Sequence, residues 1–252
     1  MKWIYLSPHY DDAVLSCGGL IWEQVQAGQK VEVWTICAGT PPEKAETPFA
    51  AAERKVGESS QQYVNIRRAE DEEACQAVGA SPRFFNYLDC IYRVLPGSGE
   101  PLIKTWDDLW KPIHPGENYL VDQLKHELSI LLPAGARVVC PLTMGGHRDH
   151  RMVRSAAERL GRPVWYYADY PYVARFAPAL SEWVGEGWKV YYRPLSAQAQ
   201  LAWWTAIQFY ISQKRGLWES DEEMLSMFEQ YVQKQGGSRL WKSPSKQPGG
   251  KS

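Results

Sequence analysis

Two short polar clusters hold the donor atoms that a hydrolytic metal centre needs. The first is Pro8-His9-Tyr10-Asp11-Asp12 and the second is His147-Arg148-Asp149-His150. Three of the chain's five histidines fall in them. A catalytic zinc takes imidazole nitrogen and carboxylate oxygen from three protein ligands and keeps one position open. His9, Asp12 and one of His147 or His150 supply such a set. Asp11 is then left to take a proton from water, and the remaining histidine to stabilise an oxyanion. Two histidines and a carboxylate suit non-haem iron equally, so spacing leaves the metal open. Either cluster alone also reads as a helix cap or a polar turn, because carboxylates satisfy the free amides of a first helical turn. Chemistry requires both clusters, and requires that they meet in space.

The elements around them predict that meeting. Residues 2–7 read as a strand, 14–27 as a helix that Gly28 ends, and 31–38 as a second strand. This βαβ opening points to a parallel sheet with right-handed crossovers. A helix over 65–78, stopped by Gly79, leads to a third strand over 84–88, with Asp89 behind it. A helix over 119–132 and a strand over 137–142 precede the second cluster, and a helix over about 150–160 follows it. Late strands are expected at 164–168 and 190–192, a strong helix at 197–212 and a weaker one at 221–234. Both clusters thus lie where a parallel strand ends and a helix begins, the edge at which open α/β sheets bind ligands. The expected architecture is one α/β domain over 1–235, with a mostly parallel sheet flanked by helices. Residues 236–252, rich in Gly, Ser, Pro and Lys, read as a flexible C-terminal tail.

Two stretches lack a pattern, 40–63 and 94–115. Both carry several prolines and are candidates to wall a pocket, the first as a lid. The chain has 12 tryptophans and 14 tyrosines, more than a core of this size demands. Trp106, Trp110, Tyr166, Tyr167, Tyr170 and Tyr172 are candidates to stack on the face of a sugar. Arg93, close to Asp89, is placed to reach an anionic group of a substrate.

Composition narrows the classes further. The 252 residues are 44% hydrophobic and 23% charged, with a net charge of −1. That excludes a mostly disordered chain, a collagen and a coiled coil, and offers no global electrostatic case for nucleic acid or an anionic membrane. No apolar run is long enough for a membrane span. The start of the sequence lacks the features of a signal peptide, so the mature chain is expected to begin here and to be cytoplasmic. Five cysteines, at 17, 37, 75, 90 and 140, form no C-x-x-C pair and read as buried reduced thiols. No G-x-G-x-x-G follows the first strand, which argues against a dinucleotide enzyme.

At these clusters the sequence resembles the LmbE-like (PIG-L) zinc N-deacetylases. Ser7-Pro8-His9-Tyr10-Asp11-Asp12-Ala13-Val14-Leu15-Ser16-Cys17-Gly18-Gly19 is similar to their opening motif, and Gly146-His147-Arg148-Asp149-His150 to their second. Arg67-x-x-Glu70 and the later Asp89 resemble the family's middle segment. The resemblance spans roughly residues 1 to 165 and implies a Rossmann-like fold and removal of an acetyl group from an N-acetylated amino sugar or related N-acyl molecule. It implies one zinc per chain on His9, Asp12 and His150, with Asp11 as general base. It further implies a protonated His147 on the amide carbonyl, Asp149 orienting a neighbouring histidine, and Arg67 and Asp89 facing substrate. Tyr10 and Ala13 depart from the family's Pro and Glu without removing a ligand. Gly145 stands where some members carry a Tyr. Another metal-dependent hydrolase, such as a phosphoesterase, and a catalytically silent sugar-binding relative are the competing readings. A homo-oligomer is compatible with the abundant aromatics.

Overall fold

The computed structural model describes residues 1–42, 46–54, 57–175 and 180–244. In chain order these form β1 (Lys2–Ser7), α1 (Asp12–Gln26), β2 (Lys30–Thr35), α2 (Pro48–Ala52), α3 (Ser60–Ala77), β3 (Ser81–Phe84), α4 (Trp106–Leu109) and α5 (Asn118–Leu131). Then follow β4 (Arg137–Pro141), α6 (Arg148–Glu158), β5 (Val164–Tyr167), α7 (Tyr172–Arg175), α8 (Leu180–Trp183), β6 (Lys189–Tyr192), α9 (Ala197–Gln208), α10 (Ile211–Leu217), α11 (Asp221–Gln233) and β7 (Arg239–Lys242).

The strands make one seven-stranded sheet in the order β3-β2-β1-β4-β5-β7-β6. The first five positions pair in parallel, and β7 pairs antiparallel with both β5 and β6. β1 lies between β2 and β4, so both of its faces are covered, and Trp3, Ile4, Tyr5 and Leu6 are all fully buried. Strand alternation then sorts the core. Trp3 and Tyr5 pack with α1, α3, α9 and α11 on one face, while Ile4 and Leu6 pack with α5 and α6 on the other. Gly18 lets α9 close on α1, because a Cβ there would sit 2.2 Å from the Trp203 ring. Trp203 completes the contact by donating its indole N–H to the Val14 carbonyl at 2.7 Å.

The expected single α/β domain with a mostly parallel sheet is what the chain forms. Four local expectations change. The third strand lies at Ser81–Phe84, where residues pair with Glu32–Thr35; beyond it Asn86 makes a single antiparallel bridge to Cys37, while Phe85 and Tyr87 are buried. The helix expected from 65 begins at Ser60, because Ser59 and Gln62 form a capping box. The helix expected over 197–212 breaks at Phe209 and Tyr210, where Tyr210 turns inward to Asp71. Finally, the stretch read as a flexible tail contributes β7. Leu240 and Trp241 are buried there, and an apolar pair inside a Gly/Ser/Lys-rich stretch is too short to show periodicity. The remainder of that stretch, 245–252, lies outside the described residues, as do parts of the 40–63 segment.

Candidate active site

Both polar clusters lie at the carboxyl ends of neighbouring parallel strands, β1 and β4, and their side chains meet. Ser7 ties down the first turn: its hydroxyl donates to the His9 carbonyl at 2.6 Å and accepts the Ala13 amide at 3.0 Å. Asp11 sits at the N-cap of α1 without a capping hydrogen bond, and Asp12 accepts the His9 amide at 2.7 Å. The Asp11 carboxylate is therefore not spent on a cap. The second turn needs left-handed backbone at Thr143, Gly145 and Gly146, and His147 then caps α6, its Nδ1 accepting the Asp149 amide at 3.2 Å.

The rings of His9 and His147 lie 4.9 Å apart, those of His9 and His150 5.5 Å, and those of His147 and His150 5.1 Å. One nitrogen of each falls within 4.8 Å of the others. Asp12 lies between two of them, with Oδ2 at 3.3 Å from His9 Nδ1 and Oδ1 at 3.2 Å from His150 Nε2. The far nitrogens are held by carboxylates. His9 Nε2 faces Asp149 at 3.1 Å, and His150 Nδ1 faces Asp169 at 2.7 Å. Each buried carboxylate faces the ring nitrogen turned away from Asp12, the arrangement that metal-binding histidines adopt. The donor set of His9, Asp12 and His150 therefore fits a divalent cation.

Electrostatics agree with that fit. Burial alone would push His9 and His150 towards the neutral form, but Asp89, Asp12 and Asp149 outweigh it for His9, and Asp12 with Asp169 raises His150 to about 9. The pocket thus favours added positive charge at these rings. Burial likewise pushes Asp12 and Asp149 up, yet the histidines beside Asp12, and Arg93 and His9 beside Asp149, hold both well below the usual carboxylate range. Asp11 differs. Burial and the Asp12 charge raise it, against Arg67 and His9. His147 is pushed well below its ordinary value by burial and by His9 and His150, so it is neutral. With Nδ1 accepting a backbone amide, its proton sits on Nε2.

Arg67 lies 3.9 Å from Asp11 and 3.7 Å from Asp89, with its guanidinium against the Tyr10 and Tyr63 rings. Asp89 is also 3.6 Å from His9 Nε2. Arg93 departs from its expected place facing substrate. It is buried, donates to Asp149, pairs with Glu117 at 2.8 Å and donates to the Leu88 carbonyl at 3.3 Å, so protein groups hold its guanidinium. Of the aromatic candidates, Trp110 and Tyr172 border the histidines. Trp106 stays exposed beside Phe49. Tyr166, Tyr167 and Tyr170 belong to the core, bonded or stacked to Glu158, the Leu6 carbonyl and Tyr231.

Sequence reasoning missed Asp169, Glu117 and Arg148. Asp169 follows strand β5 as Asp89 follows strand β3, so position at the ligand-binding edge was the available signal. Glu117 and Arg148 gave none, since their pairing at 3.4 Å joins an irregular excursion to a helix start.

Comparisons with known proteins show the family. The family described as PIG-L, GlcNAc-PI de-N-acetylase, matches residues 4–160. A 2'-N-acetylparomamine deacetylase from Niallia circulans is 28% identical over 203 residues, covering 74% of this chain and 71% of that protein. A teicoplanin deacetylase, solved in a zinc-inhibited form, is 25% identical with a TM-score of 0.82, covering 98% of this chain and all of the other. N,N'-diacetylchitobiose deacetylase from Pyrococcus horikoshii, at 17% identity and a TM-score of 0.59, covers 96% of this chain and 84% of its own, and shows the fold alone.

Proposed function

The chain belongs to the PIG-L family, and from that membership and its site we propose a zinc-dependent N-deacetylase acting on an N-acetylated amino sugar or a close N-acyl relative. The observation that carries the reading is Asp12 lying between His9 Nδ1 and His150 Nε2, each ring backed by a buried carboxylate. His9, Asp12 and His150 would hold the zinc. Bound there, it would supply Lewis-acid polarisation of a carbonyl and lower the pKa of water.

The chain's own groups account for the proton traffic. Asp11, beside these donors but not spent on a helix cap, takes the proton from the attacking water. Its raised pKa suits a group that must later return that proton to the leaving amine. His147 donates its Nε2–H to the amide oxygen as negative charge builds. Such a donor is typically worth about 3–4 kcal/mol. Neutrality serves this role, since an N–H donor need not be a cation. Asp149 and Asp169 keep His9 and His150 in the correct tautomer and orientation. Arg67 and Asp89 offer charged hydrogen-bonding groups beside His9 and Asp11, suited to the hydroxyls of a sugar. Relatives that act on N-acetylparomamine and teicoplanin support an acetamido sugar as the substrate class. A cytoplasmic location is part of the same reading, supported by five buried cysteines that all remain free.

The test pairs metal analysis with amine release from N-acetylglucosamine, its glycosides and small oligosaccharides. Asp11→Asn is expected to retain the metal and lose most turnover, at least about 100-fold for a general base. Wild-type turnover in Asp11→Asn would remove the base from the mechanism, and wild-type protein inert on the whole panel would remove the activity.

A further inference from the structure

The histidines have neighbours of two kinds, charged groups and aromatic rings, and an N-acyl sugar has two halves of opposite character. Asp89 lies 3.6 Å from His9 Nε2, and Arg67 lies 3.7 Å from Asp89 and 3.9 Å from Asp11. Beyond His147 and His150 stand two aromatic rings. Trp110 meets the His147 ring edge-on at 5.5 Å, Tyr172 meets the His150 ring at 6.3 Å, and the two aromatics meet each other edge-on at 5.7 Å. The amide under attack must lie at the histidines, so its polar amine half and its apolar acyl half leave in different directions. Matching polarity sends the sugar towards Arg67 and Asp89 and the acyl group towards the rings.

We propose that Trp110 and Tyr172 form the acyl-binding wall and restrict the enzyme to short acyl groups. The proposal rests on the deacetylase reading above and names the determinant of its acyl specificity.

Both rings are held in place by groups outside the reaction. Arg148 donates to the Asp108 carbonyl at 3.1 Å, fixing the turn that carries Trp110, and Arg148 is itself paired with the buried Glu117. Tyr172 lies against Gly145, where the backbone is left-handed and a Cβ would come within 3.1 Å of the ring. Gly145 thus makes room for a ring supplied by another element. A wall fixed from both sides does not yield to a longer chain, and each surplus methylene costs discrimination of about 10–200-fold.

The experiment compares amine release from N-acetyl-, N-propionyl-, N-butyryl- and N-hexanoylglucosamine by the zinc-loaded wild type, Trp110→Ala, Tyr172→Ala and Trp110→Phe. The readout is the butyryl-to-acetyl ratio of kcat/KM, an internal ratio that general damage to the site leaves unmoved. Wild type is expected to favour acetyl. At least one alanine variant is expected to raise the ratio about tenfold or more, and Trp110→Phe to stay near wild type. An unmoved ratio in both alanine variants overturns the wall while leaving the deacetylase standing, and so does a wild type that already prefers butyryl. A wild type inert on all four compounds overturns the deacetylase reading, and the wall with it.

Discussion

Asp169 and Asp149 do the same work for different histidines. Each is almost fully buried and each faces the imidazole nitrogen turned away from Asp12. Asp149 carries additional duties, accepting from the Cys90 amide and from Arg93, so changing it disturbs several elements at once. Asp169 is the cleaner probe, because its other oxygen accepts only the Met144 amide at 3.0 Å among the bonds described. Asp169→Asn is expected to weaken zinc binding by about 10–100-fold, measured by competition with a chromophoric chelator, with the fold intact by circular dichroism. Unchanged affinity would mean that packing alone orients His150. At this scale His9, Asp12, His147 and His150 were legible because residue type and spacing suffice to name them. Asp169 was legible only by its place after a strand at the ligand-binding edge; nothing in the run Tyr167-Ala168-Asp169-Tyr170 names its histidine partner on another helix.

Most elements were also legible, because burial imprints period and capping residues mark ends. The exceptions are instructive about range. The capping box of α3 was present in the text as Ser59-x-x-Gln62, and reading it would have placed the helix start correctly. β7 could not be read that way. It is a four-residue strand whose reason to exist is the edge left open by β5, and Tyr166 pairs with Trp241 across that edge. Leu240→Ala is expected to destabilise the protein by about 2–5 kcal/mol, because the side chain is fully buried against the α1–α9 core. Urea denaturation checks it. A midpoint unchanged from wild type would return residues 239–242 to the status of a tail.

For the molecule as a whole, a buried carboxyl ties stability to pH. Asp71 is a buried residue of α3, accepting hydrogen bonds from Thr35 and Tyr210 at 2.8 Å each. Burial nevertheless raises it to about 8, above an unfolded value of about 4. The folded state then binds more protons than the unfolded state between those values, so this group's contribution falls as pH rises from about 4 to about 8. Asp71→Asn is expected to flatten that fall in thermal melts taken across the range, and an unaltered slope would place the titration elsewhere.

The sequence by itself determined the chemistry available and the side of the sheet on which it sits. Donor types are local properties, and a strand followed by a helix places its connecting loop at one edge whatever else the chain does. Only the tertiary structure decided which groups are free to act. Arg93 has the chemistry of a substrate clamp until Asp149 and Glu117 are found to occupy it, and Trp110 becomes a pocket wall only through contact with a histidine from another element. Partnership depends on distances between residues remote along the chain, and those exist only once the two cores have closed.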